Sequence, residues 1–173
     1  MHKDLAPHPD ATSNTISRLR VEVIRPRTGL LELTYLVTGN IDAIRWPEKV
    51  APDRTDGLWH HTCFEAFIRP APGTAYRELN FSPSTAWAAY DFTNTRQGMA
   101  NAAIAPPVIE ARATRDTYTL KATFEPDLPA GLWRLALTTV IEETNGRKSY
   151  WALTHPAPKP EFHHPDGFTL ELP

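Results

Sequence analysis

Cysteine is almost missing: Cys63 is the only one in 173 residues. An intrachain disulfide is therefore excluded, and a chain of this length can bury a sufficient core without one. No run of 18 apolar residues occurs, which excludes a helical membrane span. The opening segment MHKDLAPHPDATSNT has no apolar core and no small-residue cleavage pattern, so it does not read as a signal peptide, and the cytoplasm is the simplest compartment. Charge of one sign is also missing. Eighteen Lys and Arg stand against 20 Asp and Glu, for a net charge of -2, with no basic stripe. Nucleic acid and membrane are not expected partners. There is no G-x-G-x-x-G, no phosphate-binding loop and no G-x-S-x-G elbow. No amphipathic pattern reaches three helical turns.

Proline and tryptophan are abundant instead. Seventeen prolines are about twice the usual share of roughly 5%. Such a density disfavours long helices and suits short strands joined by loops. Period-two alternation runs through RLRVEVI and through LLELTYLV, where Leu31, Leu33, Tyr35 and Val37 share a face. TCFEAFI, RELNFSP, TAWAAYDF, VIEARAT and TYTLKATF follow as strands. LWRLALTTVIEE and RKSYWAL flank Thr144-Asn145-Gly146, and Asn-Gly is a strong hairpin cue. FTLEL closes the series. Nine or ten short strands at near-regular spacing predict an all-β, antiparallel fold, a sandwich or a barrel. Residues 1–15 read as a mobile leader and residues 16–173 as one domain.

The stretch DGLWHHTCFEAFIRP, from Asp56 to Pro70, carries the chemistry. On a pleated strand His60, Thr62, Phe64, Ala66 and Ile68 share one face, and His61, Cys63, Glu65 and Phe67 the other. The first set becomes fully apolar and is assigned to the core. The second then holds a carboxylate in mid-strand, and an ionised Glu there must be solvated or partnered. In ELNF, Glu78 and Asn80 share a face while Leu79 and Phe81 share the opposite one. Pairing of the two strands would bring Glu65 and Asn80 into one polar patch. That patch is either a plain solvent face or the lining of a groove.

In order, TCFEAFIRP, NFSPSTAWAAYDF, TYTLKATFEPDLP, LALTTVIEETNGRKSYWAL and HHPDGFTLEL resemble a DOMON-like domain and its relative, the family 9 carbohydrate-binding module. The likeness covers roughly residues 16–172. It implies a jelly-roll-like β-sandwich whose concave sheet binds a ligand without catalysis. It also implies sugar rings clamped between two indoles, similar to Trp59 and Trp151 here, with Glu65 reading hydroxyls; Asn80, on the strand expected to pair with it, is taken as a second hydroxyl reader and His61 as a candidate at the rim. A small saccharide is the expected partner. Polar groups built to bind hydroxyls discriminate well among such ligands.

Cytochrome-type relatives bind haem b through an axial Met with His or Lys. Met99 could serve with His155, His163 or His164, but no local motif fixes the pair, and no cofactor is the expectation. His61-x-Cys63 places two metal-ligand types on one strand face, but a third ligand is not fixed by the sequence, and no metal is expected. Glu142 and Glu143 are adjacent, so they point to opposite faces and read as solvated near a hairpin tip. Trp46, Trp87 and Trp133 read as packing residues. The tail HPAPKPEFHHPDGF reads as an extended loop crossing one end of the fold, with its histidines anchoring it or bordering the groove. A metal-dependent enzyme and an interaction domain with an empty groove are the readings from other classes.

Overall fold

Alternation of apolar and polar residues is realised strand by strand. In the computed structural model, which covers residues 1–173, β1 is His2–Pro7, β2 Ile16–Arg27, β3 Leu30–Gly39, β4 Cys63–Pro70, β5 Tyr76–Phe81 and β6 Trp87–Phe92. The remaining strands are β7 Ala100–Asn101, β8 Val108–Ala113, β9 Thr117–Phe124, β10 Trp133–Glu142, β11 Lys148–Ala152 and β12 Leu170–Leu172. Four single-turn 3₁₀ segments complete the regular structure. No helix is long and apolar enough to cross a membrane.

All strand-to-strand pairings are antiparallel, in the order β7-β6-β5-β4-β10-β11-β1-β2-β3-β9-β8, with β12 beside β10. The fold is all-β as expected, but it has twelve strands rather than nine or ten. The additions are β1 and the two-residue β7. The β10–β11 hairpin closes through Asn145-Gly146, and Gly146 takes the positive φ of 87° that such a turn requires.

Residues 1–15 are not a mobile leader. His2–Leu5 pair with β2, and Ala6 and Pro7 pair with Ala152 and Trp151 of β11, so β1 is the seam that makes the ladder continuous. Leu5 is buried, and Asp4 is held by both Arg18 and Arg20, which keep its carboxyl well below the usual range. HKDLAP has one large apolar residue and no periodicity. Its order comes from tertiary pairing rather than from a local pattern. Leu5→Ala should lower stability by about 2 kcal/mol, the low end for a buried leucine because the site lies at a seam. Chemical denaturation would measure this, and an unchanged midpoint would mean the strand contributes nothing.

The sheet curls back so that its two halves share one interior. Phe64, Ala66 and Ile68 of β4, Leu79 and Phe81 of β5, and Leu135 and Leu137 of β10 belong to one buried cluster with Leu19, Val21, Leu33, Tyr35 and Val37. Tyr35 donates its hydroxyl to the Glu65 carbonyl at 2.8 Å, and Phe81 meets Phe124 at 5.1 Å between ring centres. Trp87 and Trp133 are buried there as expected, and Trp46 stacks on Tyr118 at 3.7 Å. On the opposite face of β4, β5 and β6 a smaller cluster forms from Phe67, Tyr76, Tyr90, Phe92 and Phe168. Leu58, Trp59 and Phe162 cover it from loops. The candidate site lies at the margin of that cluster.

Candidate functional site

Strand β4 turns its apolar face inward, so Glu65 projects outward. Register places Glu65 directly between Asn80 of β5 and Thr138 of β10. The Thr138 hydroxyl donates to Glu65 Oε2 at 3.1 Å. Glu65 Oε1 is buried with no hydrogen-bond partner, in a residue that is 2% exposed. Two positions along β5, Glu78 accepts at Oε1 from the Asn80 amide at 2.8 Å. Burial and the charge of Glu78 raise the Glu65 carboxyl well above the ordinary carboxylate range. Burial raises Glu78 in the same direction, although the Asn80 bond and Arg96 oppose it.

These two carboxyls lie in the floor of a cavity of about 420 Å³. Trp59, Phe92, Tyr150, Phe162 and His163 supply aromatic walls, Arg96, Met99 and His60 are the exposed liners, and Lys148 is half-buried. Gly57, at a φ of +75°, turns the chain into the 3₁₀ segment Leu58–His60 and so presents Trp59. The indole rests edge-on against Tyr90 at 5.9 Å. Tyr150 comes from β11, and Phe162 leans on it edge-on at 6.1 Å.

His163 is wedged among Phe67, Phe92 and Tyr76. The Arg96 backbone N–H donates to the Tyr76 hydroxyl, which leaves the phenolic hydrogen to donate to His163 Nδ1 at 2.7 Å. Burial lowers the imidazole to about 4, so it is neutral at pH 7 and carries its hydrogen on Nε2. That nitrogen faces Glu78 Oε2 at 3.6 Å. Arg96 is engaged by Glu161.

Of the residues predicted from sequence, Trp59 and Glu65 line the cavity. Asn80 lies beneath the floor, fully buried, and steers Glu78 rather than facing the space. His61 does not line the cavity. It is exposed and bonded to Glu142 Oε2 at 2.7 Å, while its neighbour His60 is a liner.

Trp151 must be corrected. The β11 pleat sends it inward with Ser149, whose hydroxyl accepts from the indole Nε1 at 3.0 Å. Trp151 is 4% exposed and belongs to the interior cluster, so no clamp of Trp59 and Trp151 exists. Tyr150, its neighbour, faces the cavity instead. The residues that sequence reasoning missed are Glu78, Phe92, Arg96, Lys148, Tyr150 and Phe162. Only Glu78 carried a legible signal, because it shares a strand face with Asn80.

The tail crosses the cavity side of the sheet, not one end of the fold, and supplies Pro160, Phe162 and His163. His155 bonds the Ala6 carbonyl, and His164 caps the turn Pro165–Gly167. Neither lines the cavity. The haem ligand pair does not fit, since His163, the one histidine lining the cavity beside Met99 among the three candidates, is engaged by Tyr76 and turned to Glu78. Cys63 is buried with its thiol pushed up by burial, while His61 is exposed, and no three His, Cys, Asp or Glu gather as metal ligands. Glu142 and Glu143 point apart as expected but are buried rather than solvated. Glu142 meets His61 and Arg45, and Glu143 accepts from Ser13, Thr15 and Asn145.

No family model matches the chain, and no curated protein does either. Among solved structures, it superimposes on the crystal structure of a "putative carbohydrate-binding protein" from Bacteroides uniformis with a TM-score of 0.72. The match is 13% identical and covers 97% of this chain and 84% of that one. At that identity the likeness is one of fold.

Proposed function

We propose that the protein is a non-catalytic binding domain that takes a small saccharide in the Glu65–Glu78 cavity. One observation carries this reading. A carboxyl oxygen, Glu65 Oε1, is buried without a partner on the floor of an aromatic-walled space. Leaving a buried polar oxygen unpaired costs about 1–3 kcal/mol, and a ligand hydroxyl that hydrogen-bonds to it recovers that cost. Trp59, Tyr150 and Phe162 offer ring faces to the C–H side of a pyranose. A concave apolar cleft with a few convergent polar groups is the usual form of a small-molecule site.

The solved neighbour's description supports the saccharide class. The two halves packed on a common interior support a DOMON-like sandwich, with the cavity on its concave face. The one thiol is buried under Asn80 and does not line the cavity, which supports binding over thiol-based catalysis.

Titration of tryptophan fluorescence with mono- and disaccharides should give a saturable change with at least one sugar. Glu65→Ala should remove it, and nitrophenyl glycosides should remain uncleaved. A panel that leaves the emission untouched would end the saccharide reading, and glycoside cleavage would end the non-catalytic one.

A further inference from the structure

The donors and acceptors around the floor are unequal in number. Glu65 Oε1 has no partner, and Glu78 Oε2 has only His163 Nε2, at 3.6 Å. Both side chains are at least nine-tenths buried. Neither nearby cation forms an ion pair with them. Arg96 is engaged by Glu161, and Lys148 makes no salt bridge. His163 is neutral at pH 7. Thr138 and Asn80 satisfy the outer oxygens, and Cys63 and Tyr35, the remaining titratable groups beside Glu65, are neutral and buried.

A hydroxyl donates one hydrogen, whereas an ammonium donates three, and its charge favours the ionised form of two carboxyls that burial otherwise holds protonated toward neutral pH. Ring faces around it add cation–π attraction. A metal cation would also match the charge, but no third His, Cys, Asp or Glu joins this pair in ligating geometry.

We propose that the preferred ligand bears a primary ammonium group, as an amino sugar does, and that this group is held between Glu65 and Glu78. The proposal rests on the saccharide reading and names its substrate class. A neutral sugar would satisfy Glu65 Oε1 alone. An amino sugar satisfies both carboxyls with its nitrogen and leaves its ring for Trp59, Tyr150 and Phe162.

Calorimetry at pH 7 with glucosamine, galactosamine and mannosamine, each beside its neutral parent and its N-acetyl form, tests this. At least one amine should bind about tenfold more tightly than both counterparts, the scale of one charge-assisted hydrogen bond in a buried site. Glu78→Gln, checked for folding by near-ultraviolet circular dichroism, should erase the preference. Neutral or N-acetyl sugars binding as tightly as the amines would overturn the ammonium assignment while leaving the saccharide reading intact. Persistence of the preference in a folded Glu78→Gln variant would overturn it too. Failure of every sugar, charged or neutral, would remove both proposals together.

Discussion

Trp151→Ala should cost about 3–5 kcal/mol and lower Tm by roughly 10 °C, whereas Trp59→Ala should leave Tm nearly unchanged and weaken saccharide binding about 30-fold. The two indoles differ in where the backbone sends them. Trp151 is 4% exposed, opposes Pro7 across the β1 seam and Thr139 across β10, and hydrogen-bonds Ser149. Truncating it leaves a cavity in the shared interior and strands the Ser149 hydroxyl. Trp59 is half-buried on a 3₁₀ turn and touches the outer cluster through Tyr90, with exposed His60 beside it. Truncating it removes a wall of the site and little of the core. Differential scanning calorimetry and fluorescence titration of both variants would read the split. A stable Trp151→Ala protein that no longer binds sugar would mean the ligand sits elsewhere.

The face assignment of β4 was legible because its two sides differ so sharply in polarity. Phe64, Ala66 and Ile68 leave no choice about which side is core, and Glu65 follows by pleat alone. The pairing of Glu65 with Asn80 was legible for the same reason, since Leu79 and Phe81 fix the face of β5. On β11 that logic had nothing to grip. In KSYWA both Tyr150 and Trp151 are large amphipathic rings, and either suits an interior or a ligand face. The structure decides through register: Tyr150 opposes Val140 on the cavity side, and Trp151 opposes Thr139.

Other parts of the site are assembled by tertiary contacts that no local pattern announces. Phe162 and His163 sit in a proline-rich tail whose path over the sheet depends on Phe67, Tyr76 and Phe92 receiving the imidazole. Arg96 is placed by a positive φ of 53° and its bonds to Glu161. Strand β1 is the extreme case, a polar hexapeptide ordered only by the two strands it joins. Glu142 and Glu143 teach the same lesson from the other side. Adjacent acids near a hairpin tip are solvated by default, yet here His61, Arg45, Ser13 and Thr15 close over them.

Glu65→Gln should make the protein more stable at neutral and mildly alkaline pH, by about 1–3 kcal/mol, and should remove ligand binding. In the native state burial and Glu78 hold the Glu65 carboxyl above the ordinary carboxylate range, and burial does the same to Glu78. The unfolded chain therefore releases these protons at lower pH than the native one. Between the ordinary and the raised values the native state binds more protons, so stability falls as pH rises. The contribution is fully present below the ordinary carboxylate range and is lost as pH climbs through the native value. His163, lowered to about 4, acts oppositely and destabilises the native state only toward acid, as do Glu143 and Glu161 with their lowered carboxyls. The parent protein should thus pass through a maximum on the mildly acidic side. The variant lacks one of the two raised carboxyls, and its neutral amide can donate toward Glu78. Its Tm advantage should open from near zero at about pH 4.5 to roughly 3–6 °C at about pH 8. Thermal melts across that range, paired with saccharide titrations, are the measurement. An advantage independent of pH would mean that Glu65 titrates alike in the native and unfolded chains, and the buried, unpaired carboxyl on which the binding site was built would lose its support.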